Sequence, residues 1–223
     1  MKINIHAGHN PDGLVGCGAV GFIKESTEAR KVVKEVIRQL TGLGHTVYDC
    51  TCNDGTSQTN VLTKVVDKCN KNTVDIDISI HFNAGVAEKK ANGKTSGTEV
   101  LLYRTGSEAT KYADGVLSAI SSLGFKNRKI KIRPDLYYLR ATKSPAMLIE
   151  CCFVDDKDDV ELYDYKKMAT AIVKGITGNT LEKEQKVKSI YRVQVGAYES
   201  KEIAEKTAKR LIDSGFSAII IKG

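Results

Sequence analysis

Three side chains that suit metal or proton chemistry each follow a predicted strand: His9, His81 and Glu150. A fourth, Glu25, lies at the start of the first predicted helix. Ligands of open α/β sheets bind outside the carboxyl ends of the strands, so we expect these four side chains to meet at one edge of the sheet.

Two imidazoles and one carboxylate are typical of the three protein ligands of catalytic zinc. The remaining carboxylate would then transfer protons. Glu150 lies between the apolar stretches Met147–Ile149 and Cys151–Phe153, where a carboxylate is costly to bury without a purpose. The four residues are scattered along the chain, unlike the single-helix HExxH arrangement. The sequence therefore predicts a site for one zinc ion per chain.

Each of these assignments has a structural alternative. The two histidines could be a turn residue and a satisfied core residue, and Glu25 could simply favour the N-terminus of its helix. Glu28 lies one helical turn after Glu25 on nearly the same face, so spacing leaves both open as ligands. The remaining histidines carry less weight: we interpret His6 as a structural or supporting residue and His45 as an exposed turn residue.

Length, composition and charge limit the class of protein. The chain has 223 residues, a formal net charge of +7 and six cysteines. No apolar run approaches the ~18–20 residues of a transmembrane helix, and the first residues lack the apolar core of a secretory signal. We therefore predict synthesis in the cytoplasm without a signal peptide. Disulfides are uncommon there, so we predict free thiols.

The excess of positive charge favours an anionic partner. Its densest cluster, residues 126–133, alternates cations with Ile130 and Ile132, which is typical of a half-buried strand with one solvated face. Contact with a polyanion is the second interpretation. No helix-turn-helix, RNP or zinc-finger pattern accompanies the cluster, so nucleic acid is not an expected partner.

Hydrophobic periodicity predicts the elements that position the site. Helical spacing is found at Glu25–Leu43, from Thr59 to Cys69, at Ala109–Ile120 and at Tyr165–Ile176. Strands are predicted at Lys2–Ala7, Thr46–Asp49, Asp75–Ile80, Thr98–Tyr103, Tyr137–Leu139 and Ala146–Ile149. Strands that alternate with helices of this length predict an α/β fold, with a mostly parallel twisted sheet and helices on both faces.

Six blocks of this sequence resemble the zinc-dependent N-acetylmuramoyl-L-alanine amidases of the Amidase_3 type, which cleave bacterial peptidoglycan. The blocks are Ile5–His9, Gly21–Glu25, Ser79–Ala84, Gly97–Val100, Leu136–Arg140 and Ser144–Glu150, the last followed by Phe153. Because the blocks keep the order of the family, the resemblance implies that residues 1–178 form a catalytic domain.

The resemblance also implies individual roles. His9, Glu25 and His81 match the zinc ligands of the family, which favours Glu25 over Glu28, and Glu150 matches its catalytic glutamate. The implied reaction is hydrolysis of the amide bond between the lactyl group of N-acetylmuramic acid and L-alanine, with lysis of the cell wall as the result. Peptidoglycan is then the expected partner.

Two features depart from the family pattern. Asn10 stands where glycine is usual, and Cys151–Cys152 replaces a pair of small residues, although neither change removes a predicted ligand. Two other functions stay open: a zinc peptidase that cuts within the stem peptide, and a wall-binding protein without turnover. The setting also stays open between a phage endolysin released by lysis or a holin-like pore and a mother-cell autolysin of sporulation, which the SPOR-like tail slightly favours by analogy.

The end of the chain predicts a separate unit. Residues 179–188 suit a linker, and residues 189–223 have the pattern of a strand (Ile190–Val195), a helix (Ser200–Ile212) and a strand (Ser217–Ile221). Tyr191–Tyr198 resembles the opening of a SPOR-type peptidoglycan-binding domain, which contains two such halves. A lone half of ~35 residues is too small to fold unaided. We therefore expect it to dock on the main domain, or to form a homodimer through residues 189–223.

Overall fold

A computed structural model of the chain describes residues 1–181 and 194–221. Contacts divide the chain into two units, Met1–Glu182 and Lys183–Gly223. Most of the predicted linker and the start of the predicted tail lie outside the described residues.

The first unit alternates strands with helices. Its strands are β1 (Lys2–Ala7), β2 (Thr46–Asp49), β3 (Ile76–Asn83), β4 (Thr98–Leu102), β5 (Asn127–Ile132) and β6 (Ala146–Phe153). Its helices are α1 (Glu25–Gly42), α2 (Gln58–Cys69), α3 (Thr110–Ser121), α4 (Tyr137–Ala141), α5 (Lys157–Leu162) and α6 (Tyr165–Thr177). The predicted fold class is confirmed.

The six strands form one sheet in the order β2-β1-β3-β6-β4-β5. The first four of these are parallel, whereas β4 pairs with β6 in the antiparallel direction and β5 runs parallel to β4. The carboxyl ends of β1, β3 and β6 therefore meet at the same edge, at neighbouring positions. This arrangement brings the segments that carry the predicted site residues together.

Side-chain alternation gives the sheet two different faces. One face carries apolar residues that pack against α1, α3 and α6; Ile5, Ile80 and Ile149 are fully buried there. The opposite face carries His6, Ser79 and Glu150 and is partly covered by α2 and α4. Buried polar groups on the second face mark it as the side on which chemistry can occur.

The predicted strand at Tyr137–Leu139 is wrong, since this segment forms the short helix α4. The β-strand preference of its aromatic residues is overridden by tertiary context. Both edges of the following strand, β6, are already paired with β3 and β4, so no place remains for another strand beside it. Tyr138 and Leu139 bury their side chains instead against the cluster that includes Val61 and Val65 of α2.

Sequence periodicity also missed α5, because a helix of six residues shows too little of its repeat. The start of α5 is marked instead by its N-cap residue, since the Asp156 carboxylate accepts a hydrogen bond from the backbone N–H of Asp159 at 3.0 Å. Asp159 in turn accepts hydrogen bonds from the backbone N–H groups of Gly97 and Phe153. These aspartates fix the start of β4 to the end of β6.

The basic cluster forms the edge strand β5, as the alternation predicts. Ile130 is half-buried and Lys129 and Lys131 are exposed, as expected, but Ile132, the second isoleucine of the pattern, is exposed. Lys129 adopts a left-handed backbone conformation with φ 73, at the point where the β4–β5 register shifts.

The described part of the second unit contains one helix, α7 (Lys201–Asp213), close to its predicted bounds. Ser217–Ile221, predicted as a strand, has no regular structure. A strand needs a neighbour for its backbone hydrogen bonds, and the described residues of this unit offer none. The predicted strand Ile190–Val195 lies largely outside the described residues.

All six cysteines are free thiols, and five of them are buried. Within residues 1–181 and 194–221, no helix has the length and apolar character needed to cross a membrane.

Candidate metal centre

His9, Glu25 and His81 converge at the edge of the sheet where β1 and β3 end. His9 Nε2 lies 3.3 Å from Glu25 Oε1, and His81 Nδ1 lies 2.9 Å from the same oxygen. One ligand atom from each of the three residues lies within 4.8 Å of the others. Among the described residues, this is the only group of three or more histidine, cysteine or acidic side chains that could hold a metal ion.

An unusual backbone conformation directs His9 towards this point. Its φ of 63 is left-handed, which costs a non-glycine residue about 1–2 kcal/mol. Arg30 of α1 fixes the loop, because its guanidinium donates to the carbonyls of His9 and Cys52, each at 2.9 Å. Asn10 also helps: its buried side chain donates to the carbonyls of Val15 and Gly55. The asparagine that departs from the family pattern therefore anchors the loop.

Glu25 is held by both of its carboxylate oxygens. Oε1 accepts from His81 and from the backbone N–H of Phe82, and Oε2 accepts from the N–H of Ala19 at 2.8 Å. Burial raises the pKa of this carboxyl, but the hydrogen bonds from His81 and His9 outweigh burial and lower the pKa well below its usual range. Glu25 is therefore an anion at neutral pH, as a metal ligand must be.

Glu150 lies beside the trio on the next strand. It is the register partner of His81 in the β3–β6 pairing and of Glu99 in the β4–β6 pairing. Its Oε2 is buried and has no hydrogen-bond partner among the described residues. Burial, followed by the negative charges of Glu25 and Glu99, raises the pKa of Glu150 to about 8, whereas Arg133 lowers it slightly. Such a carboxyl can both accept and return a proton near neutral pH.

A cavity of about 250 Å³ contains this site and extends beyond it. His9, His81 and Glu150 form part of its wall. Its apolar walls come from α2, α4 and the sheet: Val61, Leu62, Val65, Leu101, Leu136 and Leu148. Arg133 and Glu150 are the only arginine, lysine or acidic side chains in the described lining. The cavity can therefore take a mainly apolar chain that carries a few polar groups.

The other residues weighed from the sequence lie elsewhere. Glu28 accepts hydrogen bonds from Lys31 Nζ at 2.7 Å and from the Tyr163 hydroxyl at 3.2 Å, and it is not one of the three converging residues. His45 is half-buried rather than exposed, and its Nδ1 lies 3.1 Å from the N-terminal ammonium of Met1.

His6 lies in the wall of the cavity and is fully neutral at pH 7. Its ring meets that of Tyr138 edge to face, with the centroids 4.7 Å apart. Burial, with a smaller effect of His81, lowers the pKa of His6 to about 3. A neutral ring beside His81 adds no positive charge that would oppose a bound cation.

Sequence reasoning missed two supports of the site. Arg30 has no local signal, because its partners are loop carbonyls up to 22 residues away along the chain. The second support is an ion pair behind Glu150, where Glu99 Oε2 accepts from Arg128 Nε at 2.8 Å and Glu99 Oε1 accepts from Asn83. The antiparallel register that places Glu99 there follows from the sheet order, which periodicity does not reveal.

Comparison with known families gives two matches. The family described as N-acetylmuramoyl-L-alanine amidase (Amidase_3) matches residues 3–178. The family described as SPOR domain matches residues 166–222.

Individual relatives agree with the first match. An uncharacterised protein of Clostridium perfringens is 36% identical over 167 residues, which are 74% of this chain and 48% of the relative. The N-acetylmuramoyl-L-alanine amidase CwlM of Bacillus licheniformis is 28% identical over 74% of this chain and 63% of its own length. The chain thus spans about half to two thirds of these relatives.

A solved structure has the same fold as the first unit. The catalytic domain of the CD27L endolysin targeting Clostridia difficile aligns with a TM-score of 0.70 and 27% identity. The alignment covers 80% of this chain and 97% of that domain.

Proposed function

Since the chain belongs to the N-acetylmuramoyl-L-alanine amidase family over residues 3–178, we propose that it hydrolyses the amide bond between the lactyl group of N-acetylmuramic acid and L-alanine in peptidoglycan. The observation that carries this proposal is the convergence of His9, Glu25 and His81 next to Glu150, whose carboxylate oxygen Oε2 is buried. We also propose that the protein acts at the bacterial cell wall, where this substrate lies.

The donor set supports zinc as the metal. Two imidazole nitrogens and one carboxylate oxygen are typical of its catalytic sites, and His9, His81 and Glu25 supply them within a small volume. Glycine at position 8 supports the same interpretation, because a Cβ there would collide with the His81 ring. Zinc bound by these residues would supply a Lewis acid that polarises the scissile carbonyl and makes water more acidic.

Glu150 is the proposed general base and acid. Its buried carboxyl takes the proton of the attacking water and returns it to the nitrogen of the departing L-alanine. The pKa of about 8 and the unpartnered Oε2 support both steps. The products are a free lactyl carboxylate and a peptide that begins with alanine.

Digestion of purified peptidoglycan tests this function directly. We expect the zinc-loaded protein to release peptides with a new N-terminal alanine, and a chelator to stop the release until zinc is restored. N-terminal analysis of the released peptides is the measurement. A new terminus at another residue would identify a peptidase that cuts within the stem peptide. Binding to the wall without any new terminus would identify a protein without turnover.

We propose that residues 189–223 pair with the same unit of a second chain. The described part of this unit buries no residue of α7, and Ile203, Ile212 and Phe216 are each more than half exposed. The SPOR match begins inside α6, but the apolar face of that helix is already buried in the first unit. A twofold pair would supply the missing half and would give two catalytic heads on one polymeric wall.

Light scattering should therefore give the mass of two chains for the full protein. Deletion of residues 181–223, or Ile203→Glu, should give the mass of one chain, because a carboxylate in an apolar interface is costly. Lys209→Glu is the matched control, since it places the same group at an exposed polar position of α7. A dimer that survives the deletion would contradict this proposal.

A further inference from the structure

The cavity beside Glu150 extends across the strands of the sheet, from β6 towards β5. The strand order β1-β3-β6-β4-β5 places His9 and His81 on one side of Glu150, and β5 on the other. From Glu150 the cavity extends over Leu148 and Leu101, which are register partners, to Arg133. Arg133 directly follows β5, and its main-chain N–H donates to the Leu102 carbonyl at 2.8 Å.

If the protein has the proposed amidase function, the direction of the cavity indicates which part of the substrate it binds. Glu150 must reach the nitrogen of the departing L-alanine to return a proton to it. The peptide that begins at this nitrogen therefore lies on the Glu150 side of the metal ligands and extends towards Arg133. The sugar lies on the opposite side, towards β1.

Arg133 lies at the far wall of the cavity, where its side chain is about half exposed. Its Nε and Nη2 donate to the two carboxylate oxygens of Asp135 at 2.9 and 2.8 Å. Its Nη1 has no hydrogen-bond partner among the described residues. The pair with Asp135 leaves Nη1 available to donate a hydrogen bond to a further carboxylate.

We propose that Arg133 is a specificity-determining residue that binds a free carboxylate of the stem peptide at the residue after L-alanine. Arg133 is the only arginine or lysine of the described lining, so no other full cation there can balance this anion. The apolar walls at Leu101, Leu136 and Leu148 accommodate the alanine methyl group and the peptide chain between the two charges.

Two muropeptides that differ at one group test the proposal. In one, the residue after L-alanine carries a free α-carboxylate, and in the other this group is a carboxamide. We expect the wild type to cleave the carboxylate form with a kcat/KM about tenfold higher, mainly through KM, because a charge-assisted hydrogen bond is lost with the amide. Arg133→Gln should lose this preference by slowing only the carboxylate form.

Arg104→Gln is the control, because Arg104 is an exposed arginine just after β4 and outside the cavity lining. It should keep the preference of the wild type. Equal rates of the wild type on both muropeptides, or a preference that persists in Arg133→Gln, would overturn the proposal and leave the amidase function intact. If neither muropeptide yields a new N-terminal alanine, the proposed function is refuted, and the Arg133 site with it.

Discussion

Glu150→Gln should lower the turnover of peptidoglycan by about 10²–10⁴-fold, the usual contribution of a positioned general acid or base. Glutamine keeps the size of the side chain but cannot take a proton from water. His9, Glu25 and His81 are unchanged, so the variant should still bind one zinc ion per chain. The measurements are the rate of release of N-terminal alanine and the zinc content of the purified variant.

A matched control separates this role from a general loss of charge. Glu161→Gln removes an exposed carboxylate of α5 that lies 3.1 Å from Lys157 Nζ, and it should leave the rate unchanged. Full activity of Glu150→Gln would exclude Glu150 as the proton carrier. Loss of zinc together with activity would instead make Glu150 a structural part of the metal site.

Because the pKa of Glu150 is raised, Glu150→Gln should also change how the free energy of unfolding depends on pH. In the metal-free protein this pKa is raised from 4.5 to about 8, so the folded state resists ionisation that the unfolded state allows. The free energy of unfolding of the wild type should therefore fall as pH rises from about 4.5 to about 8. Glu150→Gln lacks this carboxyl, and its stability should decrease less over the same range when both are followed by thermal unfolding.

The sequence predicts the meeting of the site residues for a simple reason. His9 follows β1, whereas His81 and Glu150 lie near the carboxyl ends of β3 and β6, and the carboxyl ends of neighbouring parallel strands share one edge. The choice between Glu25 and Glu28 could not be made in this way, because both lie in the first turn of α1. The structure separates them by the side chains they meet: Glu25 faces two histidines, whereas Glu28 faces Lys31 and Tyr163.

Long-range contacts explain what the sequence does not predict. Tyr137–Leu139 has the composition of a strand, and only the pairing of both edges of β6 excludes it from the sheet. Arg30 and Glu99 look like ordinary charged residues until the fold brings them next to the His9 carbonyl and to Glu150. Periodicity describes which face of an element is buried, but it does not describe which element lies opposite.

Gly18→Ala should lower the affinity for zinc by about 10–100-fold, the range found when the surroundings of metal ligands are disturbed. A Cβ at Gly18 would lie 2.5 Å from Glu25 Oε2 and 2.8 Å from His9 Cδ2, closer than such atoms can approach. Two of the three proposed ligands would have to move. Competition with a chelator of known affinity measures the effect, and amidase activity should fall with it.

Gly13→Ala is a closely matched control for this change. Gly13 and Gly18 lie in the same loop with φ of 85 and 80, so alanine carries a similar left-handed strain of about 1–2 kcal/mol at either position. No atom lies within 4 Å of a Cβ at Gly13. Both variants should lose thermal stability without zinc, Gly18→Ala more than Gly13→Ala because of the collision, but only Gly18→Ala should lose affinity for the metal. Equal zinc affinity in both variants would mean that Glu25 and His9 do not hold the ion together, and the proposed ligand set would have to be abandoned.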